Sequence, residues 1–260
     1  MELLPAIDIL GGKAVRLAKG DYAKVTVYND DPVAQAQAFE EAGAAWLHVV
    51  DLDGARSGLP VNVAAIEGIL AKTLLKVEAG GGIRDLEAIK RLYDAGVARV
   101  VLGTGLVADL DFAQAAIDRY KGLLAAGIDA KDGEVAVAGW REGAGVSAEE
   151  LAAHVASLGF RHLVYTDIAR DGMQTGIDPA AYVRMAQAFG NPVIASGGVA
   201  GIEDIYALGE VAASIEGVIA GRAVYEHALD VAQGVRVCEE ATRKAEAMRV
   251  AQDPCGGCPC

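Results

Sequence analysis

Short apolar runs alternate with longer stretches of helical period along almost the entire chain. The runs at 3–8, 46–51, 74–79, 98–102, 123–129, 161–166, 192–195 and 215–219 read as buried strands. Between them, apolar positions recur at helical spacing near 32–43, 61–70, 85–95, 109–120, 147–158, 178–189, 201–211 and 224–249. Several helix starts carry their own signals. These are Asp31-Pro32, Ser147 with Glu150 three residues on, and Asp178-Pro179. Eight strand–helix units of roughly thirty residues predict an α/β fold of the (β/α)8 barrel type, although a doubly wound open sheet would share the alternation.

The second half of the chain echoes the first. "AIDILGGKAV" (6–15) aligns with "GIDAKDGEVA" (127–136), pairing Asp8 with Asp129. "GGGI" (80–83) matches "SGGV" (196–199), so Gly81-Gly82 pairs with Gly197-Gly198, and "VLGTG" (101–105) matches "IAGRA" (219–223). Two four-unit halves, about 1–120 and 121–240, closing into one barrel over 1–250 is the simplest physical reading. In such a barrel the active site lies at the carboxyl ends of the strands. Asp8 and Asp129 are then expected on opposite sides of one mouth, with the two glycine pairs facing each other across it.

Composition narrows the setting. Apolar residues make up 53% of the 260 and aromatics only 5%, so Val, Ile, Leu and Ala must fill the core. The formal net charge of −13 argues against broad binding to nucleic acid or an anionic membrane. No apolar run is long enough to span a bilayer, and the first residues, with Glu2 and no basic segment, do not read as a signal peptide. The cysteines, 238, 255, 258 and 260, cannot staple the body of the protein, which suits a reducing cytoplasm. The Gly/Pro-rich tail at 251–260 is expected to be disordered. Its C-x-x-C-x-C could otherwise offer thiolates to zinc, with Cys238 as a fourth.

The candidate chemistry gathers at the strand ends. "AGGGIRD" (79–85) and "ASGGVAG" (195–201) each follow a strand and precede a helix, where glycines let backbone N–H groups approach an anion. Gly103-Thr104 and Gly221-Arg222 close the next strands and complete two symmetric sets, which suggests one small-molecule substrate carrying two phosphates. "HVVDLDGARSG" (48–58) and "VYTDIARDGMQTG" (164–176) add His48, Asp51, Asp53, Thr166, Asp167 and Asp171. Proton transfer needs one carboxylate as base and another group as acid. Asp8 and Asp129 are the pair the repeat singles out, Asp171-Gly172 could equally be a plain turn, and His48 within its strand reads as a satisfied core group. Asp53 and Asp167 read as structural. No spacing in the barrel suggests a metal, and no nucleophile signature is present.

The motifs "PAIDILGGKAVRL…GDY", "LHVVDLDGA", "GGGIR", "ARVVLGT", "GW" (139–140), "TDIARDG" and "SGGV" occur in order over residues 1 to about 235. In these the chain resembles the phosphoribosylformimino-aminoimidazole carboxamide ribotide isomerases of histidine biosynthesis. The resemblance implies an Amadori rearrangement of an aminoaldose bisphosphate to an aminoketose, in a cofactor-free, metal-free monomer. It makes Asp8 the base and leaves Asp129 and Asp171 both in contention for the acid. Thr166 matches a hydroxyl important to the site, and Arg16, His48 and Trp140 match substrate contacts. The sister cyclase carries "CLDV" at the first strand and Lys at the position of Arg16, so Ala6 and Arg16 favour the isomerase. Relatives that also isomerise phosphoribosylanthranilate tend to have Arg where this chain has Ala138. A non-catalytic sensor of phosphometabolites would keep the glycines and lose the acids. The long segments 9–28 and 130–146 are expected to be loops that close over substrate.

Overall fold

The computed structural model describes residues 1–18, 20–103, 105–137 and 142–252. Eight parallel strands close on themselves: β1 (Glu2–Leu10), β2 (Trp46–Asp51), β3 (Lys76–Gly80), β4 (Arg99–Leu102), β5 (Leu124–Lys131), β6 (His162–Asp167), β7 (Val193–Ser196) and β8 (Ile215–Ala220). Each pairs with the next, and β8 returns to β1 with Leu3 opposite Val218 and Pro5 opposite Ala220. This is the (β/α)8 barrel, not the open sheet. The principal helices are α1 (Pro32–Glu41), α2 (Val63–Lys72), α3 (Leu86–Ala95), α4 (Leu110–Tyr120), α5 (Ala148–Leu158), α6 (Pro179–Phe189), α7 (Ile202–Gly209) and α8 (Val231–Gln252).

The sequence explains the local choices. Asp31 Oδ1 accepts from Val33 N at 2.9 Å with Pro32 opening α1, and Asp178 does the same for Ala180 ahead of Pro179. Ser147 Oγ accepts from Glu150 N at the start of α5. The strands are buried on both faces, as parallel strands under helices must be. Leu3, Ile7, Leu47, Val77 and Val100 face the helices, while Leu4, Ala6, Val164, Ile194 and Ile219 form a separate cluster inside the barrel.

Three expectations change. The segment 9–28 is not a loop. β1 turns at Gly11-Gly12 into antiparallel strands Lys13–Ala18 and Asp21–Asn29. β5 does likewise into Glu134–Val137 and Glu142–Ser147, so the same device follows the first strand of each half. The apolar alternation in "KAVRLA" and "KVTVYN" carried this, but their exposed residues obscured it. The expected helix 224–249 divides into Arg222–Tyr225 and α8. A short helix, Leu52–Ser57, also follows β2, capped by Asp51, whose carboxylate accepts from the N–H groups of Gly54, Val61 and Asn62. Among the described residues no helix is long and apolar enough to cross a membrane.

Candidate active site

The return strand after β1 explains Asp8. Its register sets Asp8 opposite Val15, and the next residue, Arg16, places Nη1 3.0 Å from both oxygens of the Asp8 carboxylate. Both side chains are largely shielded from water, at 15% and 13% exposure, so their attraction is only partly screened. Burial works against the Arg16 charge, yet Asp8, Asp171, Tyr225 and Tyr28 outweigh it and raise its pKa. Tyr28 stacks on Tyr225 at 4.6 Å, and the Tyr225 hydroxyl donates to Ala6 O, tying the excursion to the rim. Gly221 leaves the space that Arg16 occupies. A Cβ there would lie 1.9 Å from Arg16 Nη2.

Asp129 is the register partner of Thr166 across β5 and β6, and Thr166 is buried. Asp171 lies in the turn after β6, its N–H bonded to Asp167 O. Burial pushes the Asp171 carboxyl above its ordinary range. Arg16 opposes this, Asp8 and Asp129 add to it, and the Gly172 N–H draws it back. The four charged groups therefore share one field. Arg222 Nη1 donates to Gly172 O at 2.8 Å and its Nε pairs with Glu226, so this cation braces the same turn.

The glycine pairs prove to have a packing function. Gly81 and Gly197 have φ of +107° and +91°, and a Cβ on them would lie 2.2 Å from Asp51 O and 2.5 Å from Asp167 O. Each pair thus presses against the strand end before it, in the same way in both halves. Gly82 and Gly198 likewise approach the backbone oxygens of Gly54 and Gly176. Beyond them start α3 and α7, while Gly103 and Gly221 precede the short helices Gly105–Ala108 and Arg222–Tyr225. Thr104, Trp140, Ala138 and the tail cysteines lie outside the described residues. Cys238 is buried on α8, its thiol pushed up to about 12 by burial.

His48, partly buried on β2, meets a carboxylate of the neighbouring strand β3. Its Nδ1 is 2.6 Å from Oε1 of Glu78, a residue with no exposure. Glu78 Oε2 lies 2.8 Å from Arg99 Nε in an ion pair outside hydrogen-bond alignment. Arg99 then bonds Glu216, which also meets His162 Nδ1 at 2.9 Å. Because β4 and β8 are not neighbours, the Arg99–Glu216 contact crosses the barrel interior, over the Trp46 ring at 4.4 Å. Burial disfavours the Glu216 charge, but His162 and Arg99 outweigh it and lower its pKa. Sequence reasoning missed Glu78, Arg99, Glu216 and His162. Their signal was the one that exposed Asp8, a charge inside an apolar strand.

A family model described as "Histidine biosynthesis protein" matches residues 2–254. The chain belongs to the histidine biosynthesis protein family. Among similar members, a protein of Dinoroseobacter shibae is 48% identical over 91% of this chain and 99% of its own length. One of Sphingopyxis alaskensis is 49% identical over 90% and 97%. A third, of Methylobacterium nodulans, is 46% identical over 93% and 97%. All three bear the name 1-(5-phosphoribosyl)-5-((5-phosphoribosylamino)methylideneamino)imidazole-4-carboxamide isomerase. The family match extends through both halves of the barrel and both glycine pairs.

Proposed function

We propose that this family member is the aldose–ketose isomerase its relatives are named for, acting on a ribotide with two phosphoribosyl groups. The observation that carries the reading is the gathering of Asp8, Asp129, Asp171 and Arg16 in one field at the strand ends, flanked by the two symmetric glycine pairs. In this reading Gly81, Gly82, Gly103 and Thr104 bind one phosphate and Gly197, Gly198, Gly221 and Arg222 the other, through backbone N–H groups and helix starts. Gly172, in the turn that presents Asp171, is a further substrate contact, while Arg16, His48 and Trp140 hold the ribose and the base.

The chemistry is an Amadori rearrangement. An acid gives a proton to the ribose ring oxygen, and the ring opens to a Schiff base. A base then takes the C2′ proton, and the enolamine tautomerises to the ketone. Asp8 is the base, its carboxylate held ready by Arg16. Asp171 is the better candidate for the acid, since a carboxyl whose pKa is raised keeps its proton nearer to neutral pH. Asp129 and Thr166 then stabilise the opening ring. The reading leaves both phosphates unreacted, so they serve to hold the ribotide across the mouth while one ribose rearranges.

The test is direct. Purified protein incubated with the aminoaldose bisphosphate is expected to convert it to the ketose without added metal or cofactor. Binding without conversion would overturn the enzyme reading.

A further inference from the structure

The interior of the barrel breaks the repeat that the strand-to-helix turns obey. Gly81 and Gly197 are 116 positions apart, as are Asp51 and Asp167, and each glycine presses on the matching aspartate. The same offset takes His48 to Val164 and Glu78 to Ile194. One half therefore places an apolar pair in the barrel where the other places an imidazole and a carboxylate. Val164 and Ile194 are fully packed, at 4% and 0% exposure, so the fold closes well with hydrocarbon at this level. Well-packed apolar residues are commonly as stable as a buried polar pair or more so. Packing alone gives no reason for the pair.

From this geometry we infer that Glu78 is a positioning residue for His48, holding the imidazole by its Nδ1 so that Nε2 is the nitrogen left for the substrate. The inference rests on the proposed function, in which His48 touches the ribotide. The contact is short, at 2.6 Å, and the carboxylate is fully buried and held from its other side by Arg99. Arg99 in turn is braced by Glu216 and lies against the Trp46 ring. Glu78 cannot rotate toward solvent, so the ring it grips is fixed in both tilt and tautomer. A histidine so oriented by a carboxylate meets its ligand without first losing rotamer freedom.

The experiment has two arms. Two-bond proton–nitrogen NMR of the ligand-free protein should show Nδ1 of His48 protonated. A bare Nδ1 with the proton on Nε2 overturns the inference whether or not any variant folds. In kinetics with the aminoaldose bisphosphate, Glu78→Gln should raise KM about ten-fold, the scale of one charge-assisted hydrogen bond, with kcat changed less than about two-fold. The His48 nitrogen shifts should move in the same variant. In a His48→Gln background, Glu78→Gln should add nothing further to KM. An independent second rise in KM, or an unchanged KM where His48→Gln alone raises it, overturns the assignment. If the wild-type protein turns over no substrate, the proposed function fails, while the spectrum still decides how His48 is held.

Discussion

Asp8 and Asp171 share neighbours but differ in what touches them. Asp8 has an arginine across both of its oxygens, whereas Asp171 is partly buried and faces two other carboxylates. Asp8→Asn is therefore expected to lower kcat by about 10²–10⁴-fold while the bisphosphate still binds, measured by turnover and by calorimetric titration. Asp171 yields a second, independent expectation. Its folded pKa stands above the unfolded value, so the native state holds a proton that the unfolded chain has released. That contribution to stability is present below the ordinary carboxylate range and is lost as pH rises through the raised value. Asn cannot ionise, so Asp171→Asn should raise the melting temperature relative to wild type more at about pH 8 than at about pH 4, while activity falls. An offset equal at both pH values would contradict the raised pKa. At this scale the sequence was readable where an apolar strand ended in a charge, as at Asp8. Glu78 and Arg99 carried the same signal, but which strand residues stand side by side, as these two do across β3 and β4, shows only once the register is set.

The strand-to-helix turns show why a binding motif and a packing motif are hard to separate on paper. Gly81 and Gly197 sit in left-handed backbone and would carry a Cβ into the carbonyl oxygen of Asp51 or Asp167. Backbone cannot give way as a flexible side chain can. Gly81→Ala and Gly197→Ala should therefore each cost about 2–5 kcal/mol of stability, the sum of a strained conformation and an overpacked contact. Chemical denaturation would check this, and a loss under about 0.5 kcal/mol would show that the turns adjust freely. Loss of phosphate affinity in these variants would then need the fold measured alongside it. Caps such as Asp31-Pro32 were legible because they are local. The strands after β1 and β5 were not, since only the first of each excursion pairs with one end of a barrel strand and the second pairs with the first alone, leaving a face in water and a weak apolar pattern.

At the scale of the whole molecule, the internal repeat raises the question of whether the halves behave as separate units. Two seams join them, β4 to β5 with Val100 opposite Leu124, and β8 to β1 with Leu4 opposite Ile219. Either half alone would expose two unpaired parallel edges, which sheets seldom tolerate. The interior cluster is also shared, since Leu4 and Ala6 come from the first half while Val164, Ile194 and Ile219 come from the second. The Arg99–Glu216 contact spans the halves as well. With no layer of core belonging to one half, we expect a single cooperative unfolding transition whose calorimetric and van't Hoff enthalpies agree. Leu4→Ala provides the sharper check. Leu4 is 1% exposed, so the truncation should cost about 2–5 kcal/mol. Because its cluster draws on both halves, amide exchange should accelerate in β6, β7 and β8 as much as in β1 and β2. Faster exchange confined to the first four strands would mean that the halves open independently, and that the two proposed phosphate sites are held by separable units instead of one closed frame.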